Sequence, residues 1–128
     1  MRKSIASAIV LALSSLACSA PSHAATTYVT GTISGLYVYS NVINAAETVL
    51  FVLSVGPITT GCSNGSGSGN PTFSFDPADV SDAQSRKNML AMLYAARTSG
   101  LPISVSYDNA GAHCDTQFGF AIPLVISM

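Results

Sequence analysis

The fold is decided by residues 27–40, TYVTGTISGLYVYS, a stretch rich in the β-branched and aromatic residues that favour strands. Val29 and Ile33 lie on one face, but beyond Gly35 the apolar positions begin again at Leu36, so the alternation slips by one residue. A β-bulge at Gly35 restores the register and bends the strand. The sequence therefore predicts one long, bent strand over this stretch.

Further elements follow this strand, after a predicted turn at 41–44. The pattern predicts strands at 48–55, 71–76, 101–108 and 117–127, and a helix at 83–98. The order is strand, strand, strand, helix, strand, strand, which is that of a five-stranded OB-type barrel, mainly β with one helix. We therefore expect residues 25–128 to form a single OB-fold-like domain.

Four of these elements carry more specific patterns. Ser81 and Gln84 resemble a capping box at the start of the helix. The strand at 48–55 is apolar on both faces, so we expect both faces to be covered, and another subunit is one candidate for a cover. The alternation in 101–108 predicts a half-buried strand. The last predicted strand presents one face made of Phe118, Phe120 and Ile122.

Residues 1–24 have the features of an export signal. Arg2 and Lys3 precede an apolar stretch, 5–17, that is too short to span a bilayer, and Ser22-His23-Ala24 offers a small-x-small cleavage site. We expect cleavage after Ala24. The alternative is a lipoprotein-like box that would make Cys18 the acylated first residue. Either route predicts a secreted or periplasmic protein.

Two cysteines, Cys62 and Cys114, remain in the exported chain. In an oxidising compartment an even pair favours a disulfide. The bond would close a loop of about 50 residues and stabilise the fold by roughly 4 kcal/mol in the chain-entropy model. A metal site that adds His113 and Asp115 to the cysteines is the alternative, but the adjacent ligands lack the usual zinc spacing. We expect neither a metal nor a cofactor.

The charge of the exported chain argues against nucleic acid as a partner. Three basic residues stand against six acidic ones after residue 24, which gives 3 − 6 = −3 with His113 neutral. Phosphate binding requires clustered positive charge, and the few basic residues here lie mostly on the predicted helix.

One motif suggests catalysis. Residues 61–65, GCSNG, fit the letters of the G-x-S-x-G nucleophile elbow, and His113 is the only histidine after residue 24. The elbow requires a strand-to-helix turn and an acid partner, whereas this segment opens a glycine- and serine-rich loop. The sequence therefore predicts that the protein is not an enzyme, and a hydrolase that uses Ser63 and His113 is the minor hypothesis.

The order of short motifs along the chain resembles a known family. Thr30-Gly31 lies near the start of a bent strand, a cysteine follows the second strand, the helix ends in Thr98-Ser99-Gly100, and PISVSYD at 102–108 precedes a late cysteine. This arrangement is similar to that of the B subunits of subtilase-cytotoxin-type and related pertussis-like AB5 toxins. The resemblance implies an OB fold, a homopentameric ring, binding of sialylated host-cell glycans and a separate enzymatic A subunit.

The resemblance also implies two glycan-binding residues. Thr30 matches the family's hydroxyl residue before the first-strand glycine, where a serine is expected, and Tyr107 matches the sugar-contacting tyrosine of the later strand. The residues alone also admit other roles. Thr30 can be a strand residue with its hydroxyl in water, and Tyr107 can be a core aromatic in phase with Ile103 and Val105.

These observations lead to two expectations about function. The first is an exported, disulfide-bonded subunit that binds sialosides, with weak single-site affinity multiplied by simultaneous engagement of several sites on a ring. The second is a small periplasmic protein-binding or inhibitory domain with no sugar ligand.

Overall fold

The computed structural model describes residues 26–41, 46–64 and 69–128. The predicted export signal with its cleavage site, the lipidation alternative at Cys18 and most of the predicted turn at 41–44 lie outside the described residues. Four residues of the glycine- and serine-rich loop, 65–68, also lie outside them.

The described chain forms one five-stranded antiparallel sheet and one helix. The elements are β1 Thr26–Asn41, β2 Ala46–Ser54, β3 Thr72–Phe75, α1 Ala83–Ser99, β4 Ile103–Asp108 and β5 Val125–Ser127. The strands lie in the order β3-β2-β1-β4-β5. The predicted mainly β class and the order of the elements along the chain are confirmed. No helix in the described part of the chain is long and apolar enough to span a membrane.

Strand β1 belongs to two ladders. Its first part, from Thr26 to Gly31, pairs with β4, and its second part, from Thr32 to Asn41, pairs with β2. In the second ladder Ile33 pairs with Leu53 and Gly35 with Val52, so Ser34 is the extra residue of a bulge. The bulge predicted at Gly35 is therefore confirmed, with the extra residue immediately before the glycine, and it explains the slip in the apolar pattern.

The core lies between the inner face of this sheet and the helix. Its largest fully buried side chains include Phe51, Phe73 and Leu93, and the rings of Phe51 and Phe73 stack at 5.3 Å between centroids. Ala96 is buried beside them, and Met89 and two neighbouring apolar residues of α1 pack against the same cluster. The helix predicted at 83–98 therefore packs one apolar face against the sheet.

The helix ends are set by two residues with different roles. Asp82 is the N-cap, and its carboxylate accepts a hydrogen bond from the backbone N–H of Ser85 at 2.7 Å. The predicted capping box of Ser81 and Gln84 is therefore wrong by one residue. Gly100 ends the helix in the left-handed conformation, with φ of 68°.

The predicted half-buried character of the strand at 101–108 is wrong. Its polar positions Ser106 and Asp108 are as deeply buried as its apolar ones. Ser106 pairs with Tyr28 of β1 and with Val125 of β5, so a larger side chain flanks it on each neighbouring strand. Asp108 is buried because the next turn folds back onto its carboxylate, which accepts the N–H groups of Ala110 and Ala112.

The predicted last strand at 117–127 is wrong over most of its length, because β5 contains only its final residues. Asp115 captures the backbone N–H groups of Gln117 and Phe118, at 3.1 and 2.8 Å, and so holds this part of the chain in a turn. Gly119 follows with φ of 69°. Pro123, which cannot donate to a ladder, precedes β5.

The segment from Cys114 to Ala121, here called the covering segment, closes the outer side of the sheet at β2 and β3. Thr48 contacts Gln117, and the ring of Phe118 packs against Tyr39 at 6.0 Å between centroids. At its end, Ala121 forms a parallel bridge with Phe73 of β3. The outer face of β2, predicted to need a second cover, thus receives one from this chain, so burial of Leu50 and Thr48 requires no other subunit.

A disulfide between Cys62 and Cys114 fixes the start of the covering segment, as the sequence predicts. Beside it, Gly61 and Gly111 approach so closely that a Cβ on Gly111 would lie 2.5 Å from the carbonyl oxygen of Gly61. Asn64 adds two hydrogen bonds, from its backbone N–H to the carbonyl of Gly119 and from its side-chain amide to that of Phe118. The cysteine loop and the covering segment therefore form one cross-linked unit.

The burial of Tyr107 gives the first prediction. Its side chain is only 3% exposed, and its ring packs edge-on against Phe73 at 5.5 Å between centroids. We expect Tyr107→Ala to lower the free energy of unfolding by about 3–5 kcal/mol, as for other large-to-small aromatic changes in cores. Tyr107→Phe keeps the ring and is expected to stay within about 1.5 kcal/mol of wild type. Urea unfolding followed by circular dichroism measures both, and a Tyr107→Ala variant as stable as Tyr107→Phe would contradict the core assignment.

Candidate functional site

The two residues that the sequence singles out lie on opposite faces of the β1–β4 ladder. Thr30 pairs with Ser104 on the outer face, where it is exposed. Tyr107 pairs with Thr27, three positions further along, and belongs to the buried inner face. The three-residue offset places them about 10 Å apart along the strands. The structure therefore does not bring Thr30 and Tyr107 together on one surface.

The surroundings of Thr30 form a distinct polar surface. Its hydroxyl is hydrogen-bonded to that of Ser104, and Ser104 in turn pairs with Ser127 of β5. Tyr28, two residues before Thr30 on the same face, is 71% exposed, the largest exposed fraction among the exposed large apolar and aromatic side chains. These four residues are called the hydroxyl face: Tyr28, Thr30, Ser104 and Ser127.

The hydroxyl face has the chemistry of a polyol-binding surface. Each serine or threonine hydroxyl can both donate and accept a hydrogen bond, and the exposed ring of Tyr28 offers an apolar plane beside them. Neighbouring strands are about 4.8 Å apart, so the row from Thr30 through Ser104 to Ser127 spans about 10 Å. A row of neutral donors and acceptors beside an aromatic ring suits a sugar ring better than an apolar or strongly charged ligand.

Tyr28 is the residue of this surface that sequence reasoning missed. Its position two residues before Thr30 in a strand already predicts that the two side chains share a face. The place of Ser104 and Ser127 on this surface could not be predicted from the sequence, because it depends on the register of β1 with β4 and of β4 with β5.

The residues of the hydrolase hypothesis do not form a nucleophile–base pair. Ser63 lies in a turn beside Gly119, and its hydroxyl would be 2.2 Å from a Cβ built there. His113, about half exposed, directs its Nδ1 towards Asp108 at 3.4 Å. No hydrogen bond joins Ser63 to His113 within the described residues.

The residues of the metal site considered from the sequence are not available as ligands together. Cys62 and Cys114 are bonded to each other, so neither thiolate is free for a metal. Instead, three carboxylates converge elsewhere: one oxygen each of Asp76, Asp79 and Asp115 lies within 4.8 Å of the other two. This group lies where the covering segment meets the connection between β3 and α1.

Comparisons with protein-family models, with curated proteins and with solved structures found no match to this chain.

Asp108 supports the turn that leads from β4 to the disulfide. The N–H of Ala110 holds the pKa of this carboxyl below its usual value, and the N–H of Ala112 and the ring of His113 act in the same direction, against the opposing effect of burial. A depressed carboxyl pKa contributes stability that is present above the unfolded-state value of about 3.9 and is lost as the pH falls through the lower folded-state value.

The second prediction follows from the lowered pKa of Asp108. The melting temperature of the wild-type protein should fall as the pH drops below about 4, because protonated Asp108 accepts fewer hydrogen bonds. Asp108→Asn should already melt at a lower temperature at pH 7, since its amide nitrogen cannot accept the N–H of Ala112. Its melting temperature should therefore decline less between pH 5 and pH 3. Scanning calorimetry of the oxidised protein measures both profiles, and equally steep acid declines would contradict this role.

Proposed function

We propose that this protein is an exported glycan-binding subunit, similar to the B subunits of subtilase-cytotoxin-type and related AB5 toxins, and that the hydroxyl face binds the sugar. The observation that carries the proposal is the position of Thr30. Thr30, which the resemblance matches to the family's hydroxyl position, lies on an exposed polar surface of three strands, beside the strongly exposed ring of Tyr28.

The topology supports an OB-type barrel as the scaffold. A bent first strand shared between two ladders and a helix between the third and fourth strands are both features of this fold. The parallel bridge between Phe73 and Ala121 brings the β3 edge to the segment that leads into β5, as closure of a barrel requires. A closed barrel presents the hydroxyl face on its outer wall.

Recognition would combine stacking with hydrogen bonding. The ring of Tyr28 would lie against C–H groups of the sugar, while the hydroxyls of Thr30, Ser104 and Ser127 would bond its hydroxyl, amide or carboxylate oxygens. Tyr107 would support this surface from the core, and the contact that the resemblance implies for it is limited to the small exposed part of its side chain. A site of this size gives weak affinity, so we include the homopentamer in the proposal as the source of avidity.

The surface between the helix and the chain terminus supports subunit or partner contacts. A groove of about 420 Å³ is lined by Met89 and Met92 of α1 and by Leu124 and Val125. Leu124 and Val125 are exposed, and β5 lies at the edge of the sheet. In the ring this surface would be covered by a neighbour, and an enzymatic A subunit would be a further partner.

The same groove favours the second candidate, a periplasmic domain that binds a protein and no sugar. Apolar grooves with methionines accept protein segments of varied shape. The two functions differ in where a substitution acts: changes on the hydroxyl face affect only sugar binding, whereas changes at Leu124 or Met92 affect protein contacts.

The third prediction concerns sialoside binding by the oxidised mature protein on a glycan array, with the mass measured by light scattering. Wild type is expected to bind sialosides as a pentamer. Thr30→Ala removes the hydroxyl and should reduce the array signal at least about tenfold. Each site of the ring loses one hydrogen bond, and the loss of affinity is multiplied across the linked sites. Thr30→Ser restores the hydroxyl that the family has and should retain binding. Tyr28→Ala should also lose the signal.

Control variants separate an effect on the hydroxyl face from an effect on folding. Tyr94→Ala removes another tyrosine with an exposed ring, from the helix, and should leave array binding unchanged. A monomer that binds no glycan would move the assignment to the protein-binding domain. Sialoside binding that survives both Tyr28→Ala and Thr30→Ala would place the site elsewhere.

A further inference from the structure

A cavity of about 100 Å³, here called the charged cavity, lies between the first turns of α1 and the strands β2 and β3. Its apolar lining includes Val49 and Phe75, which pair with each other across the two strands and are buried, and Leu90, which packs against the same core. Three charged residues complete the lining: Glu47, Arg86 and Lys87. The cavity therefore combines apolar contacts with charges of both signs.

The opposite charges of the cavity come from different elements. Glu47 lies two residues before Val49 within β2, so strand alternation places both side chains on the helix-facing side of the sheet. Arg86 and Lys87 belong to α1. No ion pair within the described residues includes Glu47, so its carboxylate forms no salt bridge with either basic residue. The strand thus contributes a negative charge and the helix two positive charges that do not neutralise one another by direct contact.

The guanidinium of Arg86 is fixed in position and still has free donors. Its Nη1 donates to the carbonyls of Val80 and Ser81, to the latter at 3.0 Å. Because these bonds use one of the three nitrogens, Nε and Nη2 can donate to a carboxylate. Lys87 is exposed, and its side chain makes no hydrogen bond within the described part of the chain. Both basic residues can therefore bind an anion without breaking an existing contact.

We propose that the charged cavity binds a free α-amino acid with an aliphatic side chain, such as leucine. The ligand carboxylate bonds Arg86 and Lys87, and the ligand ammonium bonds Glu47. The aliphatic side chain lies against the apolar lining. An apolar cavity of about 150 Å³ accepts a benzene molecule. The charged cavity, at about 100 Å³, therefore suits an aliphatic side chain smaller than an aromatic ring.

The charges of the cavity favour a zwitterion over simpler ligands. A phosphate or a simple carboxylate would bring a negative charge towards Glu47, and like charges at close range repel. An alkyl amine would leave Arg86 and Lys87 without an anion. An α-amino acid satisfies both requirements with adjacent groups. This inference does not depend on the glycan-binding proposal, because the charged cavity lies on the helix side of the sheet and the hydroxyl face lies on the outer side.

The test is an NMR titration of the oxidised, isotope-labelled mature protein with L-leucine. We expect saturable shifts of the backbone amide signals of Val49, Phe75 and Leu90. Two molecules that each lack one charged group of leucine serve as comparison ligands: 4-methylpentanoate lacks the ammonium, and 3-methylbutylamine lacks the carboxylate. Each should bind at least about threefold more weakly than leucine, since one partly exposed ion pair is lost.

Substitutions assign the charges to the groups of the ligand. Glu47→Gln should weaken leucine binding at least about threefold while 4-methylpentanoate binds no more weakly than to wild type, a difference that misfolding would not produce. Lys87→Gln should weaken the binding of both molecules. Arg97→Gln is the matched control, because it removes a positive charge from the other end of α1, and leucine affinity should stay that of wild type.

Three results would overturn the proposal. The first is a set of amide shifts that stays linear in leucine concentration. The second is equal affinity for leucine and 4-methylpentanoate, and the third is a Glu47→Gln titration with leucine that matches wild type.

Discussion

The extra residue Ser34 in β1 is the constraint on which the rest of the structure depends. Because side chains alternate along a strand, a continuous β1 would place the apolar residues of its two halves on opposite faces of the sheet. The bulge removes this conflict, so that Ile33 and Leu36 both face the core. It also bends the strand, which lets one chain segment pair with β4 at its start and with β2 beyond it.

The direction in which the side chains of β1 point also determines which residues form the exposed surface. With the first half of β1 set to bury Val29, its alternate residues Tyr28 and Thr30 must point outward, next to the serines of β4 and β5. At the other end of the sheet the outer face, which includes the buried Thr48 and Leu50, is covered by a segment of the same chain. The disulfide and the turn built on Asp115 hold that segment in place. The proposed sugar site therefore lies on the part of the outer face that this segment leaves exposed.

The sequence contains the information for the parts of the fold that depend on local pattern. The slip beyond Gly35 predicts the bulge, the paired cysteines predict the disulfide, and helical spacing predicts α1. The last strand was predicted too long because the apolar spacing of Phe118 and Phe120 is shared by a strand and by a turn-rich segment lying on a sheet. The difference arises from the side chain of Asp115, whose capture of two N–H groups is not visible in hydrophobicity. Likewise, the burial of Asp108 and the convergence of Asp76 with Asp115 depend on contacts between residues distant in sequence or on turn geometry.

The most direct test of this account is the free energy of unfolding of a chain that lacks Ser34, compared with Ser34→Ala. Ser34 is exposed, and its hydroxyl makes one bond of 3.3 Å to the carbonyl of Val52, so Ser34→Ala should unfold within about 0.5 kcal/mol of wild type. Deletion removes the bulge and forces one half of β1 to turn its apolar residues outward. We predict that the deletion variant shows no cooperative urea transition by circular dichroism. A transition at the midpoint of Ser34→Ala would contradict the claim that this single residue sets the phase of the sheet.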